Sequence, residues 1–110
     1  MREKRAHARK LMQEDAFLWD AEGNVRRPVV MLDISRAGVA FTSADLLEDG
    51  VLHRLQFCLP GHTERHESML EVVRSTTTGV PAGYRVGARF VQVAPETIER
   101  ISGFVGAAAS

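Results

Sequence analysis

The sequence is poor in several features that mark particular classes of protein. Cys58 is the only cysteine among 110 residues, so no disulfide can form within the chain, and the composition suits a reducing compartment. No apolar run approaches the roughly 20 residues that a membrane-spanning helix needs. No apolar segment follows the basic start, as it would in a signal peptide. We therefore expect a cytoplasmic chain without membrane insertion.

The sequence also has no excess of either charge, because 14 basic residues balance 14 acidic ones and the formal net charge is zero. The aromatic residues are few, and most of them fit inward-facing positions. Both observations argue against a surface for nucleic acid polymers, which combines a basic groove with exposed aromatic rings. The charge is unevenly placed, however, since the first ten residues carry five basic side chains and one acidic one. We expect residues 1–10 to form a flexible basic arm ahead of the folded domain.

The rest of the chain, residues 11–110, has the pattern of one small β domain. Apolar and polar residues alternate in short segments that are separated by turns rich in glycine, proline and asparagine. A single helix follows at about 95–105, where Pro95 suits the first helical position and Ile98, Ile101 and Val105 share a face. This pattern predicts a mainly β fold, a six-stranded antiparallel barrel with a C-terminal α-helix. The six strands are predicted over 11–19, 25–35, 39–42, 52–59, 69–76 and 84–93.

One strand and the corner after it carry a polar group of residues. Strict alternation predicts Leu32 and Ile34 on one face and Asp33 and Ser35 on the other. Gly38 then allows a positive φ or the close approach of another group. Such a group can hold a ligand. It can equally be a tight turn in which the Asp33 and Ser35 side chains cap backbone amides.

Two arginines in the basic arm, Arg5 and Arg9, complement that polar group. A guanidinium offers paired donors that match phosphate oxygens or the O6 and N7 atoms of guanine. The Asp33 carboxylate can accept hydrogen bonds from the N1–H and N2–H₂ groups of guanine, which an arginine cannot do. On their own the arginines fit a solvated tail; together with Asp33, Ser35 and Gly38 they predict a guanine nucleotide site.

These residues form two spaced motifs that resemble those of PilZ domains. Arg5-Ala-His-Ala-Arg9 matches R-x-x-x-R, and Asp33-Ile-Ser-Arg-Ala-Gly38 matches [D/N]-x-S-x-x-G. Residues 55–61 and 83–90 also look like later strands of that family. The resemblance implies a PilZ-type barrel that binds cyclic di-GMP, a bacterial second messenger, with no further cofactor. Arg5 and Arg9 would grip guanine and phosphate, and Asp33, Ser35 and Gly38 would form the opposing surface.

The resemblance also suggests how binding is relayed. Lys4 holds a position that in the family influences whether one ligand or a stacked pair is bound, and Arg36 is peripheral to the site. Ligand binding is expected to order the arm and so change the binding of an effector protein, which the sequence does not identify. The alternative is a PilZ-fold protein–protein interaction module that does not bind cyclic di-GMP.

Catalysis has little support in the sequence. His62 and His66 are four residues apart, but they lie in a polar segment without an adjacent glutamate or a third ligand, so a solvated loop is predicted rather than a zinc site. No Gly-x-Ser-x-Gly elbow accompanies Ser35, which argues against a hydrolase triad. We therefore predict no enzymatic activity.

Overall fold

The structure, a computed structural model, describes residues 8–79 and 82–107 as a closed barrel with one helix. The prediction of a six-stranded antiparallel barrel with a C-terminal helix is confirmed. The elements are β1 (Arg9–Asp20), β2 (Arg26–Ser35), β3 (Gly38–Ser43), β4 (Leu52–Phe57), β5 (His66–Thr77), β6 (Tyr84–Gln92) and α1 (Pro95–Ala107).

The strand order around the barrel is β1-β2-β3-β6-β5-β4, and β4 closes the barrel by pairing with β1. Strands that are neighbours in the barrel are also consecutive in the sequence, except at two junctions. These are the pairing of β3 with β6 and the pairing of β4 with β1. The β3–β6 junction matters most for the site, because it brings residues of the last strand beside the β2–β3 corner.

The interior is filled by the inward-facing residues that alternation predicts. Leu55, Phe57 and Leu59 are buried, as are Val86 and Ala88 of β6. The helix covers the barrel through Ile101 and Val105, which belong to the same core cluster, and it contacts β1 and β2. The apolar face predicted for the helix therefore packs on the sheet, with Ile98 half-buried at its margin.

The first strand begins at Arg9, so it includes the last two residues of the predicted basic arm. Arg9 pairs with Ser35 and Lys10 pairs with Ile34 across the β1–β2 ladder. Lys10 is also fixed to the helix, because its Nζ donates a hydrogen bond to the Phe104 carbonyl at 3.3 Å and lies 4.2 Å from the centre of that ring. Residues 1–7 of the arm lie outside the described residues.

The β2 strand contains an irregularity at Leu32 that the sequence pattern did not predict. The register shifts between Met31 and Asp33 on the β3 side, and a second shift in β1 lies opposite the same point. Met31 and Ile34 are therefore both fully buried although they are three residues apart, while Leu32 is only half-buried. The predicted pairing of Leu32 and Ile34 on one core face was wrong, because a bulge moves Leu32 off that face. Asp33 and Ser35 keep their predicted place on the outer face.

Two further expectations need correction. His66 does not lie in a solvated loop but begins β5, where its buried Nδ1 is 3.0 Å from the Thr97 hydroxyl of the helix. The aromatic residues of β1 do not face inward: Phe17 is 37% exposed, Trp19 is half-buried, and the Arg26 guanidinium lies 4.4 Å from the centre of the Phe17 ring. Within the described ranges no helix is long and apolar enough to cross a membrane.

Candidate functional site

The register of β1 against β2 brings Arg9 to the polar residues of β2. Arg9 stands directly opposite Ser35, and directly opposed residues of an antiparallel pair share a face. Asp33 is two residues from Ser35 and lies on the same face, within diagonal reach of the arginine. The structure therefore brings together three of the predicted site residues, Arg9, Asp33 and Ser35. We call this outer face, together with Gly38, the Asp33 surface.

The Asp33 carboxylate lies between two guanidinium groups. Arg9 Nε is 3.4 Å from Oδ1 on one side, and Arg85 Nη2 is 3.4 Å from Oδ2 on the other. Asp33 is only 7% exposed, and a buried carboxylate needs such partners to offset the loss of hydration. The contact with Arg9 is an ion pair without hydrogen-bond alignment, so Oδ1 accepts no hydrogen bond from any described residue. Oδ1 is itself covered in this structure, so a donor from outside could use its acceptor position only after a neighbouring side chain such as that of Arg9 had moved.

Ser35 is held mainly by the corner that follows it. Its Oγ accepts hydrogen bonds from the backbone N–H groups of Ala37 and Gly38, at 3.1 and 3.2 Å, and from Arg9 Nη1 at 3.3 Å. The turn-capping role that the sequence left open is therefore real for Ser35. Asp33 shows no such role, since its contacts are with the two arginines. The Ser35 hydroxyl itself has only a long contact of 3.5 Å to the Gly38 carbonyl.

Gly38 is required by the packing of two strands rather than by an unusual φ. It pairs with Arg89 at the β3–β6 junction. A Cβ atom at this position would collide with the Ala88 carbonyl oxygen and would come within 3.1 Å of the Arg89 Cα atom. The close approach that the sequence predicted is thus made by the β6 backbone.

The other predicted residues lie apart from this cluster or outside the description. Arg5 and Lys4 lie outside the described residues, so their places relative to Asp33 stay predictions. Arg36 is exposed in the bend between β2 and β3 and forms no ion pair with another described residue. Arg36 is therefore near the site in sequence but is not joined by an ion pair to any of its described residues.

Two residues of the Asp33 surface were missed by sequence reasoning. Arg85 approaches Asp33 because β6 pairs with β3, with Arg85 opposite Thr42. Leu11 lies directly opposite Asp33 in the β1–β2 ladder and is 82% exposed, which is unusual for a leucine in a strand. Alternation places Arg85 on the face opposite to Val86 and Ala88, but it gave no placement for Leu11, which begins a segment with a mixed pattern. What was missing was the strand order, which a single sequence does not specify.

A sizeable cavity lies elsewhere on the barrel. It measures about 630 Å³ and is lined mostly by apolar atoms of residues that include Phe17, Val29 and Tyr84. None of the predicted site residues that the structure describes lines it. The Asp33 surface is instead a polar face on which Asp33 and Ser35 are buried and Arg9 is partly exposed. Among the described residues no group of three histidine, cysteine, aspartate or glutamate side chains could hold a metal ion.

Comparison with known proteins places the chain in a family. The family model described as "PilZ domain" matches residues 3–107, which is nearly the whole sequence. No curated protein matches the sequence.

Solved structures share the fold at low sequence identity. The Bacillus subtilis inhibitor of motility MotI (DgrA) superposes with a TM-score of 0.84 at 19% identity, over 98% of this chain and 52% of that one. The PilZ domain of YcgR from Escherichia coli, solved with c-di-GMP, gives 0.72 at 14% identity, over 96% of this chain and 91% of that one. The K. pneumonia MrkH–c-di-GMP complex gives 0.74 at 14% identity, over 99% and 54%. The chain thus spans about half the length of MotI and MrkH. From its matched residues and its barrel, this chain belongs to the PilZ domain family.

Proposed function

We propose that the chain is a non-catalytic, cytoplasmic receptor that binds cyclic di-GMP on the Asp33 surface. The observation that carries the proposal is the buried Asp33 carboxylate, whose Oδ1 atom accepts no hydrogen bond from the described residues. Guanine offers two adjacent donors, N1–H and N2–H₂, and a carboxylate can accept from both at once. Binding of c-di-GMP by the relatives YcgR and MrkH is in line with this assignment.

Arg9 is proposed to exchange partners when the ligand binds. Its Nε lies 3.4 Å from Asp33 and its Nη1 donates to Ser35, so its guanidinium is already on the surface. It is only about a quarter exposed, which limits its freedom before binding. When guanine takes over the Asp33 carboxylate, Arg9 becomes available to donate to a phosphate or to the O6 and N7 edge. Arg5 is proposed to supply a second guanidinium from the arm.

Ser35 and Gly38 are proposed to act in different ways. The Ser35 hydroxyl has only a long contact to a carbonyl, so it can turn to donate to a ligand oxygen at little cost. Gly38 acts indirectly, by letting β6 approach and so bringing Arg85 beside Asp33. The ligand contact that the resemblance implies for Gly38 would then be with its backbone.

The relay is proposed to pass through the residues that precede β1. Because Arg9 already belongs to β1, the part of the arm that ligand binding would fix is the segment that carries Lys4 and Arg5. Fixing that segment across the barrel would alter a surface that an effector protein contacts. Amide exchange measures this directly: we expect slower exchange in residues 2–8 at saturating ligand. Unchanged exchange with bound ligand would contradict the relay while leaving the receptor function intact.

A second candidate function is a PilZ-fold interaction module that does not bind the ligand. The observation in its favour is the outward surface of Phe17, Trp19 and Arg26, in which the guanidinium lies over the Phe17 ring and 6.0 Å from the Trp19 ring. Exposed tryptophan and arginine are the residue types that most often dominate binding energy at protein interfaces. This surface is compatible with either function, so it does not displace the first.

Titration calorimetry separates the two functions. Cyclic di-GMP is titrated into the unaltered chain and into Arg5→Ala, Arg9→Ala and Asp33→Ala variants, with Arg27→Ala as the control. Arg27 is a suitable control because it pairs with Asp45 on another part of the barrel. We expect saturable binding that the three site variants abolish or greatly weaken and the control retains. No heat from a folded, unaltered chain would favour the interaction module.

Competition between ligands tests selectivity for the cyclic dinucleotide. A single-stranded polynucleotide should fail to displace cyclic di-GMP, and the result should be the same at low and high salt. Displacement at low salt that disappears at high salt would instead indicate binding driven by phosphate charge.

A further inference from the structure

Arg85 is the charged residue of the Asp33 surface that belongs to neither sequence motif. It projects from β6 and is the partner of Asp33 Oδ2, at 3.4 Å from Nη2. Its side chain is 51% exposed, whereas that of Asp33 is 9% exposed, so the guanidinium is accessible to solvent while the carboxylate is largely covered. Arg9 occupies the other side. The two arginines therefore flank the carboxylate rather than compete for one oxygen.

The floor beside Asp33 consists of small residues, of which Ala40 is 5% exposed and Gly87 has free space above it. Asp33 pairs with Ala40, and Ala40 pairs with Gly87 of β6, so these three residues form one row across the barrel surface. A Cβ atom added to Gly87 would meet no atom within 4 Å. Arg85 is two residues from Gly87 on the same face and so borders this floor. A planar base lying over Ala40 and Gly87 would present one edge to the Asp33 carboxylate and one end of that edge to the Arg85 guanidinium.

Guanine has the complementary edge. Along its Watson–Crick side lie two donors, N2–H₂ and N1–H, followed by one acceptor, O6. A carboxylate can take the donors but repels the acceptor, which needs a donor beside the carboxylate. Once Arg9 has moved away from Oδ1, N2 can be placed at that atom and N1 at Oδ2, and O6 then falls on the Arg85 side.

We propose that Arg85 donates a hydrogen bond to O6 of the guanine held by Asp33 and so determines base specificity at this site. Adenine presents an N6 amino donor where guanine has O6, so the Arg85 guanidinium would face a donor and the base would be rejected. Arg9 is less suited to reading O6 of this same guanine, because it lies next to Oδ1, which receives N2 at the opposite end of the Watson–Crick edge. The inference rests on the proposed function, since it concerns the same ligand.

Calorimetry with two ligands and a matched pair of variants tests the inference. Arg85→Ala is compared with Arg89→Ala, which removes the same charge from the same strand and face but whose side chain pairs with Glu71. The ligands are cyclic di-GMP and its inosine analogue, which keeps O6 and N1–H but lacks the N2 amino group. We expect Arg85→Ala to weaken cyclic di-GMP binding by about 5- to 150-fold, the range for loss of one base-reading contact. Arg89→Ala should stay within about twofold of the unaltered chain.

The inosine ligand separates contact with the base from positioning of Asp33. If Arg85 contacts O6, its removal weakens both ligands by the same factor, and the preference for guanine over inosine is unchanged. If Arg85 only positions Asp33, its removal changes that preference, because the N2 contact belongs to Asp33; this result would overturn the inference. Arg85→Lys keeps one donor and should show an intermediate loss, which guards against a folding defect in the alanine variant.

The two levels of the hypothesis fail in different ways. Equal binding by Arg85→Ala and Arg89→Ala overturns the role of Arg85 and leaves the receptor function standing. Absence of binding to the unaltered chain overturns the receptor function itself.

Discussion

Replacing Gly38 by alanine should destabilise the barrel, because the new Cβ atom has no room at the β3–β6 junction. It would overlap the Ala88 carbonyl oxygen and lie 3.3 Å from the carbonyl carbon and 3.1 Å from the Arg89 Cα atom. All three are backbone atoms, so no side-chain rotation relieves the overlap and the two strands must separate locally. Overpacking of this kind costs about 1–3 kcal/mol, and each ladder hydrogen bond weakened adds up to about 1 kcal/mol.

Gly87→Ala is the matched control for that substitution. Gly87 lies on the same face of the neighbouring strand, but its added Cβ atom would meet nothing within 4 Å. Alanine also restricts the unfolded chain more than glycine does, so this variant should be as stable as the unaltered chain or more stable by up to about 1 kcal/mol.

Urea unfolding followed by circular dichroism measures both effects. We expect the Gly38→Ala midpoint to fall and the Gly87→Ala midpoint to stay or rise, with similar dependence of the free energy on urea. If Gly38→Ala unfolds at the same urea concentration as the unaltered chain, the β3–β6 junction can accommodate a Cβ atom at residue 38 without loss of stability. Gly38 would then be a ligand contact, as the motif alone suggests, rather than a requirement of strand pairing.

Three further predictions concern stability. Burial lowers the pKa of His53 below its usual 6.5, so the unfolded chain binds the proton more readily and stability should fall as the pH drops below about 6.5. A His53→Leu variant should lose this dependence of stability on pH between about pH 6.5 and 5. That window lies above the range in which Asp20 titrates, because hydrogen bonds from backbone N–H groups lower the pKa of Asp20. An unchanged dependence on pH in the variant would assign the effect to another group. Thr97→Val removes the hydroxyl partner of buried His66 and should lower the free energy of unfolding by about 1–3 kcal/mol. Thr97→Ser keeps the hydroxyl and should cost less. Equal losses in the two variants would point to packing instead. Ile101→Ala should cost about 2–5 kcal/mol, because the fully buried side chain joins the helix to the core, and a loss below about 1 kcal/mol would mean that the helix is not anchored there.

Most of the fold could be predicted because each strand and the helix carry their own pattern. Leu55, Phe57 and Leu59 alternate with polar residues, and that periodicity alone identifies a half-buried strand. The order of strands in the barrel has no such local signal. The pairing of β3 with β6 joins residues about 45 positions apart, and it was the pairing that brought Arg85 to Asp33.

The bulge at Leu32 shows a second limit of pattern reading. Strict alternation assigns Leu32 to the core, but the register shift gives that place to Met31 and Ile34. An extra residue in a strand leaves no mark in composition. Its consequence is local, because Asp33 and Ser35 still face outward.

The candidate site could be predicted in part for a chemical reason. Arg9, Asp33 and Ser35 were identified because charged and hydroxyl side chains at fixed spacing are the groups that a nucleotide requires. Gly38 was identified for close approach, and the structure shows that the approaching group is the β6 backbone. Leu11 carried no chemical signal in the sequence, although it lies directly opposite Asp33.

The most direct measurement of the central claim is a titration of the isotope-labelled chain with cyclic di-GMP, followed by amide NMR. We predict saturable shifts in the amide signals of Ser35, Ala37, Gly38 and Gly87, which border the Asp33 surface, and no comparable shifts around the apolar cavity lined by Val29. Shifts confined to that cavity, or none at ligand excess, would contradict the assignment of the Asp33 surface as the cyclic di-GMP site.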